Sequence, residues 1–191
     1  MEKQKDRKLD AVIILLVALI GFAVSLISFF WRRNNGMTVF VFVEESIFYL
    51  FALYYCVWGY KKPHGNLVRY LMLVLALVTA ASIHQMLLDY RELPWQVLLS
   101  GAVAAVLIGY MAGRLHKVKK NIIVVVIVTA LLLIRCFWPL KLQYNAISVF
   151  YVLDRSTTLL AWITVVLIYF FRYKEHREAG LLTDEAAAPK A

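Results

Sequence analysis

This chain is short of what a soluble domain uses to face water. Charged residues make up 17% of its 191 positions and hydrophobic ones 62%, too little charge to cover the core such a chain would form. There are two cysteines, Cys56 and Cys136, both inside apolar runs; this argues against a disulfide framework and reads them as small buried hydrophobes. Prolines are few, and Pro63, Pro94 and Pro139 stand at the ends of apolar runs, so no run is broken in its interior. There is no glycine-rich phosphate loop, no HExxH and no CxxC pair. Of four histidines, His64, His116 and His176 fall in polar connectors, which leaves His84 alone. No metal site, cofactor or catalytic residue is assigned on this basis.

What is present is apolar length. A bilayer core of about 30 Å takes about 20 helical residues to cross. Six stretches qualify: Leu9 to Trp31, Thr38 to Tyr60, Leu67 to Leu88, Trp95 to Gly113, Ile122 to Leu140 and Ala146 to Phe171. The fold class that follows is all-α, a polytopic membrane protein with a six-transmembrane-helix bundle. A basic segment over 1–8 precedes the bundle and a short tail over 172–191 follows it. The first apolar run is too long for a signal-peptide core and lacks a small-x-small cleavage site, so it reads as a retained helix.

Lys and Arg near the span ends set the orientation. With the N-terminus inside, Lys3, Lys5, Arg7, Lys8, Lys61, Lys62, Arg69, Arg114, Lys117, Lys119, Lys120, Arg172, Lys174 and Arg177 lie on the cytoplasmic side. Only Arg32, Arg33, Arg91 and Lys141 lie outside. The asymmetry predicts both termini in the cytoplasm, N-in and C-in, in a bacterial-type plasma membrane. Phe30, Trp31, Trp95 and Trp138 form the outer aromatic belt; Trp58, Tyr60, Tyr110 and Tyr173 form the inner one. The net charge of +9 is then explained by topology and anionic headgroups, and a nucleic-acid partner is excluded.

The stretch "VFVEESIFYLF" over 42–52 sets two acids in an apolar run. With the topology above, Glu44 and Glu45 lie roughly 10 Å below the outer surface. His84, Gln85 and Asp89 on the third span, Arg135 on the fifth, and Asp154 with Arg155 on the sixth reach similar depth. Each such charge costs about 2.5–3.5 kcal/mol near mid-membrane when alone. Gathered together, the acids and bases neutralise one another, which predicts a polar cavity among spans two, three, five and six. Ser82, Gln85 and Asp89 form one helical stripe, and Tyr151, Asp154 and Thr158 another. A plainer reading stands beside this one: interhelical ion pairs that only lock the bundle.

The fourth span is free of charge, and its Gly101, Ala105, Gly109 and Gly113 recur at every fourth position, a small-residue stripe expected to pack against another helix. A dimer or membrane partner docking there is a lesser alternative. Ala18, Gly21, Ser25 and Ser28 make a shorter stripe on the first span.

The "EES" over 44–46 resembles the paired glutamates of the CAAX-type intramembrane proteases. Those enzymes place an arginine four residues after the second acid, where this chain has Tyr49, and two histidine-bearing helices, where it has only His84. The likeness covers two residues, and no catalytic role is carried over. Size and helix count are similar to the substrate-binding subunits of vitamin importers, a likeness of architecture.

The leading expectation is a protein of the lipid bilayer that binds or transports a small solute or cation through the outward-opening cavity. The alternatives are a scaffold or accessory subunit with charges as latches, and thirdly an intramembrane enzyme.

Overall fold

The computed structural model describes residues 2–31, 36–57, 65–89, 95–115, 117–137 and 149–178. They form six α-helices: α1 (Glu2–Trp31), α2 (Gly36–Val57), α3 (Gly65–Asp89), α4 (Trp95–Gly113), α5 (Val118–Phe137) and α6 (Val149–Glu178). No strand occurs among the described residues. Apolar runs of this length without an internal proline can satisfy their backbone only within themselves, and the helix does so. α4 has the bounds expected from sequence. α1, α5 and α6 run further at their basic ends, because Lys, Arg and Glu continue a helix as readily as Leu does.

Among the described residues, three helices are long and apolar enough to cross a membrane: Leu9–Phe30, Trp95–Gly113 and Lys120–Phe137. In the other three the described apolar stretches are shorter: Glu45–Tyr54, Val68–His84 and Arg155–Phe171. The six apolar runs therefore correspond to six helices, of which three meet the length and composition of a span. The exterior is apolar as well, with Leu16, Ile20, Val106, Ile123 and Val126 all exposed. Three span-length helices and such an exterior mark the chain as membrane-associated.

Sequence neighbours pack in pairs from α1–α2 through α5–α6, and α6 closes back on α1. α6 also packs against α2 and α3, so it lies between the two halves of the bundle. Side-chain bonds make several of these pairs antiparallel. Ser25 meets Glu45 between α1 and α2, and Arg155 and Trp162 of α6 meet Arg135 and Thr129 of α5. The core is built from Ile14, Phe48, Leu71, Leu75, Ile108, Leu132, Trp162 and Ile168, all nearly inaccessible. It fills the bundle on one side of a polar level, and that level carries the candidate site.

Candidate functional site

The site begins with a glycine. Gly21 of α1 is covered by the ring of Tyr49 from α2, and a Cβ at position 21 would come within 2.6 Å of the ring's Cζ. Only a residue without a side chain lets α1 and α2 approach this far. Ala18, Ser25 and Ser28 are buried on the same face of α1, so the small-residue stripe of the first helix is a packing face. Tyr49 passes beneath α1 and donates its hydroxyl to the Thr157 carbonyl of α6 at 3.1 Å.

One turn along from this contact, antiparallel packing brings Ser25 to Glu45. The Ser25 hydroxyl donates to Oε2 of Glu45, and the Thr157 hydroxyl donates to Oε1 at 2.9 Å. Glu45 is only 6% exposed. Three helices thus converge on one carboxylate, each of whose oxygens accepts a hydroxyl. A hydrogen bond to a charged group contributes about 1.5–3 kcal/mol, so two are of the size needed to offset its burial. The hydroxyls of Ser28 and Ser46, one helical turn and one residue from these partners, have no hydrogen-bond partner among the described residues.

A second cluster lies on the other side of α6. Arg135 of α5 is 3% exposed and donates through Nη2 to the Ser82 hydroxyl of α3 at 2.6 Å. Ser82 in turn donates to the Thr79 carbonyl at 2.7 Å. Gly101 of α4 makes room for this crossing: a Cβ there would stand 3.8 Å from Nη1 of Arg135 and 2.9 Å from Ile83. Arg155 donates to the Arg135 carbonyl at 2.7 Å, and the Cys136 thiol donates to the Arg155 carbonyl at 3.3 Å. This reciprocal pair ties α5 to α6. Arg155 and Thr157 are two residues apart, about 200° around the helix, so α6 serves one cluster on each flank.

The placement of the expected residues follows. Glu45, Arg135 and Arg155 lie buried at the polar level. The level draws on α1 and α4 as well as the four helices expected, through Ser25 and Gly101. His84 does not join it. Ser82 turns inward to Arg135, and His84, two residues on and about 200° away, is exposed on the opposite face of α3. The side chains of Glu44, Gln85, Asp89 and Asp154 lie outside the described residues.

The α4 stripe also needs correction. Close approach occurs at Gly101; Ala105 is half-buried, and a Cβ at Gly109 or Gly113 would meet nothing within 4 Å. The buried face is Val97, Ser100, Gly101, Ala104, Ile108, Met111 and Ala112. A strict four-residue repeat advances about 40° per step on a 3.6-residue helix, so by Gly113 it has turned about 120° off the contact face.

Ser25, Tyr49 and Thr157 enter the site through the packing of the helices and not through any charge in the sequence. Ser25 was visible as a polar member of the small-residue stripe. Thr157 adjoins Thr158 of the expected α6 stripe, yet neither hydroxyl nor phenol carries a charge that would mark it in the sequence. Among the described residues no group of three or more His, Cys, Asp or Glu side chains comes together. Compared with known protein families, curated proteins and solved structures, the chain matches none of them.

Proposed function

We propose that this chain is a six-span integral membrane protein, with both termini on the cytoplasmic face of a bacterial-type plasma membrane, that binds or transports a small cation or cationic solute at Glu45. The single observation that carries the reading is a nearly inaccessible carboxylate bonded by the Ser25 and Thr157 hydroxyls of two neighbouring helices, with the Tyr49 phenol bonded to the carbonyl of the same Thr157. Oxygen donors with one negative charge suit a proton or a hard cation better than a transition metal. The nearby Ser28 and Ser46 hydroxyls add two donor groups that such an occupant, or its water, would satisfy. A carboxylate buried in a membrane bundle is a functional group by default, because simple packing is achieved without it. Glu44 and Asp154, on the same two helices, belong to the proposal as further acids of the site, and Gln85 and Asp89 as polar groups at its α3 side.

The arginines favour a second reading for their own half of the level. Arg135 and Arg155 bond to a hydroxyl and a backbone carbonyl, and this cross-ties α3, α5 and α6 as a latch in a scaffold would.

Glu45→Gln separates the two readings. It keeps the shape and two polar atoms while removing the charge. In detergent-purified protein, a screen of alkali cations, protons and small amines is expected to raise the unfolding temperature of the native chain. A bound ligand stabilises by about 2.7 kcal/mol at a hundred times its Kd. The shift should vanish in Glu45→Gln while the ligand-free unfolding temperature changes little. A variant that keeps the full response overturns the binding role, and a variant that fails to assemble in every condition assigns Glu45 to the latch.

A further inference from the structure

The opposite end of the bundle carries a group of residues that the Glu45 site does not use. α4 and α5 are joined by only four residues, 114–117, and that corner is held unusually firmly. Arg114 N–H donates to the Met111 carbonyl, Lys117 N–H to the Arg114 carbonyl and Asn121 N–H to the Lys117 carbonyl, each at 3.0 Å. From beneath, Asn121 donates its side-chain amide to the Arg114 carbonyl and to the Tyr169 hydroxyl of α6, both at 2.9 Å. The Tyr169 hydroxyl donates on to the Leu115 carbonyl at 2.8 Å. Asn121 is 1% exposed and Tyr169 5%, so the corner stands on a buried, bonded base.

The side chains carried above that base are basic. Arg114 and Lys120 are exposed and Lys117 half-exposed, and the sequence from Tyr110 to Ile123 contains no acid. Arg114 stacks over the ring of Tyr110, 4.5 Å from its centroid, which holds the guanidinium at the edge of the bundle. Directly beside the cations the surface becomes apolar: Val106 and Tyr110 on α4, Ile122, Ile123 and Val126 on α5 are all exposed. A cationic rim on a rigid turn, continued by an apolar face along two helices, matches one kind of partner in both its parts.

We propose that the α4–α5 corner binds an anionic phospholipid, with the phosphate on Arg114, Lys117 and Lys120 and the acyl chains along the exposed face of α4 and α5. The proposal rests on the reading of the bundle as membrane-spanning. A guanidinium and two ammonium groups supply bidentate and point-charge contacts to phosphate oxygens. Each basic residue near an anionic leaflet adds to the attraction, which salt weakens. The apolar face selects a lipid over a soluble phosphate, since only the lipid has chains to cover it. Asn121 and Tyr169 act as positioning residues: they fix the turn and touch no lipid.

The test uses full-length protein in detergent micelles doped with phosphatidylglycerol, with phosphatidylcholine, or with inorganic phosphate alone. Phosphatidylglycerol is expected to raise the unfolding temperature and to appear as retained lipid in native mass spectrometry; phosphatidylcholine and inorganic phosphate do neither. A combined Arg114→Gln, Lys117→Gln, Lys120→Gln variant should unfold in phosphatidylcholine like the native chain and lose the phosphatidylglycerol shift. Tyr169→Phe, with all three cations in place, should weaken lipid retention by loosening the turn. A triple variant that keeps the shift overturns the site, and an equal response to inorganic phosphate overturns the lipid. Release of the native chain from membranes by alkaline carbonate would instead show that the membrane-spanning reading had failed.

Discussion

Gly21 of α1 and Gly109 of α4 show how differently one residue type behaves in two helices of the same bundle. At Gly21 the ring of Tyr49 occupies the place of a side chain, and that ring is itself pinned through its hydroxyl to α6. At Gly109 nothing stands within 4 Å. Gly21→Ala should therefore lower stability by about 1–3 kcal/mol, the usual cost of overpacking a close contact. It should also loosen Ser25 from Glu45 one turn away. Gly109→Ala adds helix propensity with no clash and should be neutral or stabilising by up to about 1 kcal/mol. Gly101→Ala falls between, because Ile83 is a flexible aliphatic side chain that can turn aside. Unfolding of the three variants in one detergent ranks them, and a Gly21→Ala protein as stable as Gly109→Ala would contradict the close approach of α1 and α2.

Helices, more than single residues, were what the order of amino acids made legible. Each of the six apolar runs lies on a helix of its own, because an unbroken apolar stretch bounded by Pro, Gly and charge has few other ways to satisfy its backbone. Glu45, Arg135 and Arg155 were legible too, since burying a charge is costly enough to mean something wherever it occurs. Which way a helix is turned was not legible. Every α4 face is apolar, so sequence gave no contrast by which to choose Ala104 and Ile108 over Gly109 and Gly113. The outward position of His84 is hidden in the sequence for a related reason, as it follows from Ser82 having a partner on α5 that no local pattern reveals. The α5–α6 pairing offers a measurement at this scale. The buried Trp162 donates its indole N–H to the Thr129 hydroxyl at 2.9 Å, and that hydroxyl donates to the Val125 carbonyl at 2.7 Å. Thr129→Val keeps the volume but strands the indole, at a cost of about 1–3 kcal/mol, and Thr129→Ser should recover most of it. Equal stability of the Val and Ser variants would show that packing alone joins the two helices.

The whole molecule poses a question of parity. Over the described residues α1, α4 and α5 meet the requirements of a span by themselves, whereas the apolar stretches described in α2, α3 and α6 are shorter. If three helices crossed the bilayer, the two termini would lie on opposite faces; if six cross, they share one. Six crossings are the topology proposed above. α6 packs against α1, α2, α3 and α5, and the polar groups of α2, α3 and α6 meet partners on other helices, which removes much of the cost of inserting them. Insertion of these three should then depend on their neighbours, α2 crossing poorly as an isolated segment and α1 crossing well. Single cysteines read the parity directly, on a Cys56→Ala background with Cys136 left in place because it is buried. Asn35→Cys, Glu92→Cys and Gln143→Cys should react with an impermeant maleimide from outside intact cells. Gln4→Cys, His64→Cys and Thr183→Cys should react only after permeabilisation. Labelling of Gln4→Cys and Thr183→Cys from opposite sides would establish an odd number of crossings. If Asn35→Cys and His64→Cys were also labelled from the same side, α2 would not cross, and the burial of Glu45 would carry no insertion cost to explain.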